Sequence, residues 1–128
     1  MITLPIYYTK EYKTKPPRSF LVSLNWYRNA SYFEQNEVKQ YYHSLVGKQL
    51  ASMEPIKGSY ALELALYYKS TNCDPSNIMP MIQKFTLDAL QHYKIIVNDS
   101  ARYDLLTTFT TAGQDKESPR CTIIIKES

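Results

Sequence analysis

Residues 59–69, SYALELALYYK, put Tyr60, Leu62, Leu64 and Leu66 on alternate positions. That is the two-residue period of a strand with one well-buried face. After the loop 70–74 the period changes. Ile78, Met81, Ile82, Phe85, Ala89 and Leu90 form a continuous apolar stripe, which predicts a helix over 78–93. Pro80 is tolerable only in a first helical turn, which sets the predicted start close to Asn77. A half-buried strand feeding an amphipathic helix commits this part of the chain to a layered packing of helix on sheet.

The flanking segments extend the same pattern. Residues 2–8, ITLPIYY, read as a strand, with Pro5 marking an edge or a bulge. The paired prolines of 13–19 make a loop, and 20–30 reads as extended, ending in a turn at Arg28-Asn29. Residues 31–52 turn helical, with Phe33, Val38, Tyr41, Tyr42, Leu45 and Leu50 near three- and four-residue spacings. Ser31 and Glu34 open that helix as a capping box. A short apolar run at 95–97, a strand at 101–111, a polar loop at 113–119 and a last strand at 120–126 follow. The expected fold is α+β: a single domain over 1–128, a two-layer sandwich with two helices on one face of a mixed sheet, in the order β-α-β-α-β-β.

Composition narrows the class. A chain of 128 residues with 44% hydrophobic and 21% charged residues can build a core without metal or disulfide support. Two cysteines, Cys73 and Cys121, make neither a disulfide framework nor a zinc site, so a reducing, cytoplasmic setting is expected. No apolar run approaches the ~20 residues of a membrane span, and the N-terminal segment lacks the basic and small-residue signature of a secretory signal. The net charge of +3 permits nucleic acid as a partner without requiring it. Lys10, Lys13, Lys15, Arg18 and Arg28 face only Glu11 within residues 1–28. Such an arm suits phosphate contacts, and equally suits a solvated strand edge.

The chemistry-bearing residues cluster between Asp74 and Asp99. Asp74, Ser76 and Asn77 precede the helix, where each is also an ordinary N-cap. Lys84 and Asp88 share a helix face four residues apart, and Asn98-Asp99-Ser100 is a turn former. In order and spacing these segments resemble the RusA family of Holliday-junction resolvases. The family shows an Asp-x-Asp-Asn turn, a helix with Lys and Leu-Asp-Ala-Leu, an apolar strand, and an Asp-Asp or Asn-Asp pair. Here they read Asp74-Pro75-Ser76-Asn77, Lys84, Leu87-Asp88-Ala89-Leu90 and Ile95-Ile96-Val97-Asn98-Asp99. The likeness covers about 59–126, and Leu24-Asn25-Trp26-Tyr27-Arg28 is similar to the family's early Asn-containing segment.

The resemblance implies a structure-selective DNA endonuclease that nicks branched DNA, four-way junctions above all, in symmetric pairs. It implies a homodimer, a Mg²⁺ cofactor with Mn²⁺ as a substitute, and a phage or prophage origin within a bacterial cytoplasm. Asp74, Lys84 and Asp99 take the catalytic roles, with Asp74, Asp88 and Asp99 as metal ligands and Ser76, Asn77 and Asn98 in support. Lys10, Lys13, Lys15, Arg18, Arg28, Lys69, Lys94 and Arg102 would track phosphates. Two departures stand out: Ser76 occupies the place of the second acid, and extra residues separate Asn77 from Lys84. They leave open a catalytically degenerate member that binds DNA or protein.

Overall fold

The computed structural model describes residues 1–128. Six strands and three helices run in the order β1 (Ile2–Pro5), β2 (Tyr7–Lys10), β3 (Arg18–Leu21), α1 (Leu24–Asn29), α2 (Tyr32–Gly47), β4 (Tyr60–Tyr68), α3 (Pro75–His92), β5 (Asp104–Gln114) and β6 (Arg120–Glu127). A four-stranded mixed sheet is ordered β1-β6-β4-β5, and β2 with β3 forms a separate hairpin. β4 runs parallel to β5 and antiparallel to β6, so β4-α3-β5 is a crossover unit with its helix on one sheet face. No helix is long and apolar enough to cross a membrane.

The core is the alternation made solid. Tyr60, Leu62, Leu64 and Leu66 are buried beneath α3, joined by Leu4, Cys121 and Ile123 from neighbouring strands. From α3, Ile78, Met81, Ile82, Phe85, Ala89 and Leu90 press onto that surface, and Val38, Tyr42 and Val46 do so from α2. The opposite sheet face, with Glu63, Ala65, Thr108, Thr110, Thr122 and Ile124, carries no helix. The α+β sandwich with α2 and α3 on one face is therefore as expected, with a hairpin and a short helix added.

Six local readings are corrected. Segment 2–8 breaks at Ile6, whose carbonyl accepts from Val22 N at 2.8 Å, so β1 and β2 belong to different sheets. Residues 24–29 are helical rather than extended, because Ser23 Oγ caps them by accepting from Trp26 N at 3.1 Å. The helix opened by the Ser31 cap stops at Gly47 rather than 52. Gln49 beyond it turns its amide onto Thr3, accepting from Thr3 N at 2.8 Å and donating to Thr3 O at 2.9 Å. α3 starts at Pro75, with Asp74 as N-cap and Pro75 in the first turn, where its missing N–H costs nothing. Pro80 is therefore interior, and one helical hydrogen bond is missing. β5 also starts and ends three residues later than the 101–111 reading, and β6 runs one residue past 126.

The sixth correction concerns 95–97, which forms no strand. α3 ends in a Schellman turn: Ile95 N donates to Leu90 O at 2.8 Å and Lys94 N to Gln91 O at 3.1 Å. Ile95 and Ile96 are buried by that turn, and Ile95 O accepts from Ile56 N at 2.7 Å. Lys94 sits at the left-handed position, φ +62°, where glycine is unstrained. Lys94→Gly is expected to raise folding stability by about 1 kcal/mol, read as a higher urea midpoint. An unchanged or lower midpoint contradicts the strained-turn assignment.

Candidate functional site

At the N-terminal end of α3, Asp74 is held as a cap. Its Oδ1 accepts from Ser76 N at 3.1 Å and from Ser76 Oγ at 2.7 Å. Ser76 thus spends its hydroxyl on Asp74 and supplies no charged oxygen of its own. Asn77 Oδ1 accepts from Asn25 N at 3.2 Å, which ties the first turn of α1 to the first turn of α3. Cys73 beside them has its thiol pushed up, by burial first and then by the Asp74 carboxylate, so it is no thiolate nucleophile.

Asp99 stands elsewhere. Asn98 Oδ1 accepts from Ser100 N at 2.9 Å, the side-chain turn anticipated for this sequence, and Asn98 O accepts from Tyr60 Oη at 3.3 Å. Tyr60 is the first residue of β4, whereas Asp74 follows its last. Burial raises the Tyr60 hydroxyl above its ordinary value, and the nearby carboxylates of Asp104 and Asp99 add to this. Asp104 is in turn engaged by Thr107 Oγ1 at 3.0 Å.

The implied metal set is therefore not assembled within one chain. The 18 residues of α3 lie between Asp74 and Asp99, a rise of about 27 Å. Asp88 lies about 21 Å along the helix from Asp74 and pairs with Lys84 at 3.9 Å. Octahedral Mg²⁺ needs ligand oxygens at about 2.0–2.1 Å, which Asp74 and Asp99 of one chain cannot supply together. No three His, Cys, Asp or Glu side chains converge on a point where an ion could sit. Within one chain the acids named by the resemblance do not converge on a single ion.

The basic residues also divide. Lys10 pairs with Glu34 at 3.5 Å and Glu37 at 3.6 Å, and Arg18 pairs with Glu34 as well. Burial opposes ionisation of Glu34, but the Trp26 indole, Arg18 and Lys10 overcome it and hold its carboxyl below the ordinary value. This stretch is a pinned hairpin rather than a free arm. Lys15 lies over Tyr12 at 4.2 Å, Lys69 over Tyr7 at 5.4 Å and Arg102 over Tyr103 at 5.6 Å. Lys13, Arg28, Lys39 and Lys94 take part in no ion pair.

The structure gathers a different set in the groove between α2 and α3. Tyr27, Tyr32, Gln35, Asn36, Lys39, Lys84, Phe85 and Asp88 line its upper part, and His43 and His92 continue it. Tyr32 in its lining is 76% exposed and meets Phe33, 84% exposed on the adjoining surface of α2, edge to face. Two lysines, two amides and exposed aromatic rings match what a nucleic-acid strand asks for: phosphate charge and a face to stack on. Of these only Lys84 and Asp88 were singled out in the sequence. The signal lay in two polar rows at four-residue spacing, Gln35-Lys39-His43 and Lys84-Asp88-His92, which the packing of α2 on α3 turns toward each other.

His43 closes the inner end of this groove, with Nε2 buried and unpartnered. Its pKa is lowered by burial first, then by Lys39 and His92, with Asp88 pulling the other way. A histidine depressed in the folded state binds protons more readily when unfolded, so stability falls as pH drops below about 6.5. Urea unfolding between about pH 7 and pH 5.5 is expected to show this loss, and His43→Gln to flatten it. A pH-independent wild type contradicts the assignment.

Compared with known proteins, the chain matches no family model. No curated protein matches it either.

Proposed function

We propose that this protein binds branched DNA, four-way junctions first, as a RusA-like module working in pairs of identical copies. The observation that carries the reading is the groove of α2 and α3, where Lys39 and Lys84 share a lining with exposed Tyr32, itself against exposed Phe33. The crossover unit β4-α3-β5, with Asp74 and Asn77 before its helix and Asn98-Asp99 before its second strand, supports the likeness in element order except at 95–97, which is a turn in place of a strand. Binding through backbone phosphates and stacking reads shape more than sequence, which suits a branch point.

A second reading is metal-dependent paired nicking, and one observation favours it. Asp74 uses only Oδ1 in its capping bonds, so Oδ2 is uncommitted. A synthetic four-way junction incubated with Mg²⁺ or Mn²⁺ separates the two. Binding without nicks, unchanged in Asp99→Asn, supports the binding module. Symmetric nicks lost in both Asp74→Asn and Asp99→Asn establish the nuclease. Neither binding nor nicking sinks both.

A further inference from the structure

The two outer strands of the main sheet are treated differently. β1 has its outer edge partly satisfied by the Gln49 amide, which pairs with Thr3 N and O as a neighbouring strand would. β5, at the other edge, is paired on its β4 side only. Its outer edge carries a run of backbone groups with no partner strand, along eleven residues. Natural proteins guard such an edge with lysine, proline or a bulge that twists it away. β5 is irregular at Leu105 and Ala112, near its two ends, but the regular stretch Leu106–Thr111 between them has no charged residue and no proline. Leu105, Leu106 and Phe109 of β5 are exposed at 58%, 61% and 42%.

We propose that β5 pairs antiparallel with β5 of a second copy of this chain, about a two-fold axis through Phe109. The strand is self-complementary about that residue: Thr107-Thr108-Phe109-Thr110-Thr111 reads the same in both directions. Thr108 then meets the partner's Thr110, and Thr107 meets the partner's Thr111. Side-chain faces agree as well. Phe109 lies opposite Leu64 on the helix side, whereas Leu106, Thr108 and Thr110 lie opposite Ala61, Glu63 and Ala65 on the open side. Each such cross-strand pair of threonines or apolar groups contributes favourably, and no like charges oppose one another. Because Gln49 occupies the β1 edge, pairing closes at two copies instead of propagating.

The pairing stands on β5 alone; its use on a two-fold junction rests on the function proposed above. Antiparallel pairing places the Asp104 end of each β5 beside the Gln114 end of its partner. Asp99 belongs to the first end and Asp74 to the second: Asn98 O accepts from Tyr60 Oη, and Gln114 Nε2 donates to Lys69 O at 3.0 Å. Acid-bearing turns that one chain holds apart thus come to the same end of the assembly, one from each copy.

Sedimentation equilibrium of the full chain without DNA tests the pairing. A dimer is expected, and the doubly charged edge Thr108→Lys/Thr110→Lys is expected to run as a monomer with an unchanged circular dichroism spectrum. In a Cys73→Ser background, Phe109→Cys is expected to oxidise to a covalent dimer, whereas Thr111→Cys, off the axis, is not. A wild type that stays monomeric, or a dimer indifferent to the two lysines, overturns the pairing. Either result leaves junction binding by the α2–α3 groove to be judged by its own assay.

Discussion

Phe85→Ala is expected to remove about 3–5 kcal/mol of folding stability, the largest effect of any single truncation proposed here. Phe85 is 1% exposed and lies where three helices meet. Its ring stacks on Tyr42 of α2 at 5.3 Å and 8°, and approaches Trp26 of α1 at 6.4 Å. Truncation therefore opens a cavity between α3 and both neighbours at once, and rigid aromatic walls collapse poorly into such a space. Domains of this kind hold about 5–15 kcal/mol in total, so about a fifth or more of the folding free energy is at stake. The measurement is a urea melt followed by tryptophan fluorescence, since Trp26 reports on the site directly. A loss below about 1 kcal/mol would show that the three helices do not share this packing centre.

Lys39→Glu/Lys84→Glu is expected to have the largest effect on function. Both lysines line the same groove from opposite helices, and Lys84 is tied only by a loose pair with Asp88 at 3.9 Å. Exposed pairs of that kind are worth about 0–1 kcal/mol, so exchanging the charges leaves folding nearly unchanged. On phosphate the outcome differs. Each cation that neutralises a phosphate releases counterions, and two reversed charges remove two such contacts and add repulsion. Junction affinity is expected to fall at least about tenfold at 0.1 M salt, with a shallower dependence on salt concentration. The same exchange at Lys10 and Arg18 is expected to change binding little, because Glu34 and Glu37 already neutralise those side chains. If the two pairs of variants behave in the reverse order, the interface lies on the hairpin and not in the groove.

Much of the architecture is legible in the residues, and the exceptions share a cause. The period of 60–68 and the apolar stripe of α3 mark their elements because each buries one whole face. Ser31 announces α2 because its cap is local, accepting from Glu34 N at 3.2 Å. α1 goes unseen because none of its residues is buried and it has no stripe. Contacts distant in sequence hold it instead: Trp26 Nε1 donates to Glu34 at 2.9 Å, Gln35 Nε2 to Tyr27 O at 2.6 Å, and Asn25 N to Asn77. The run 95–97 looks like a strand because Ile95 and Ile96 are buried, yet a helix-ending turn consumes its backbone groups.

The candidate site shows the same division. Asp74 and Asp99 belong to one motif in sequence, but the helix between them is long, and its length alone sets about 27 Å between the two turns. That separation was available from the apolar stripe. What could not be read along the chain is which helix faces which, so the pairing of Lys39 with Lys84 across the groove emerged only with the packing of α2 on α3. The naked edge of β5 was equally hidden, because strand order in a sheet is not written in the order of the strands.

The most direct test of the account is a competition gel shift. Labelled four-way junction is bound at about 0.1 M salt and challenged with unlabelled junction or linear duplex of the same sequence. The account predicts that junction competes at least about tenfold better than duplex, and that Lys39→Glu/Lys84→Glu abolishes the difference. Equal competition by junction and duplex, or no complex with either, would contradict it.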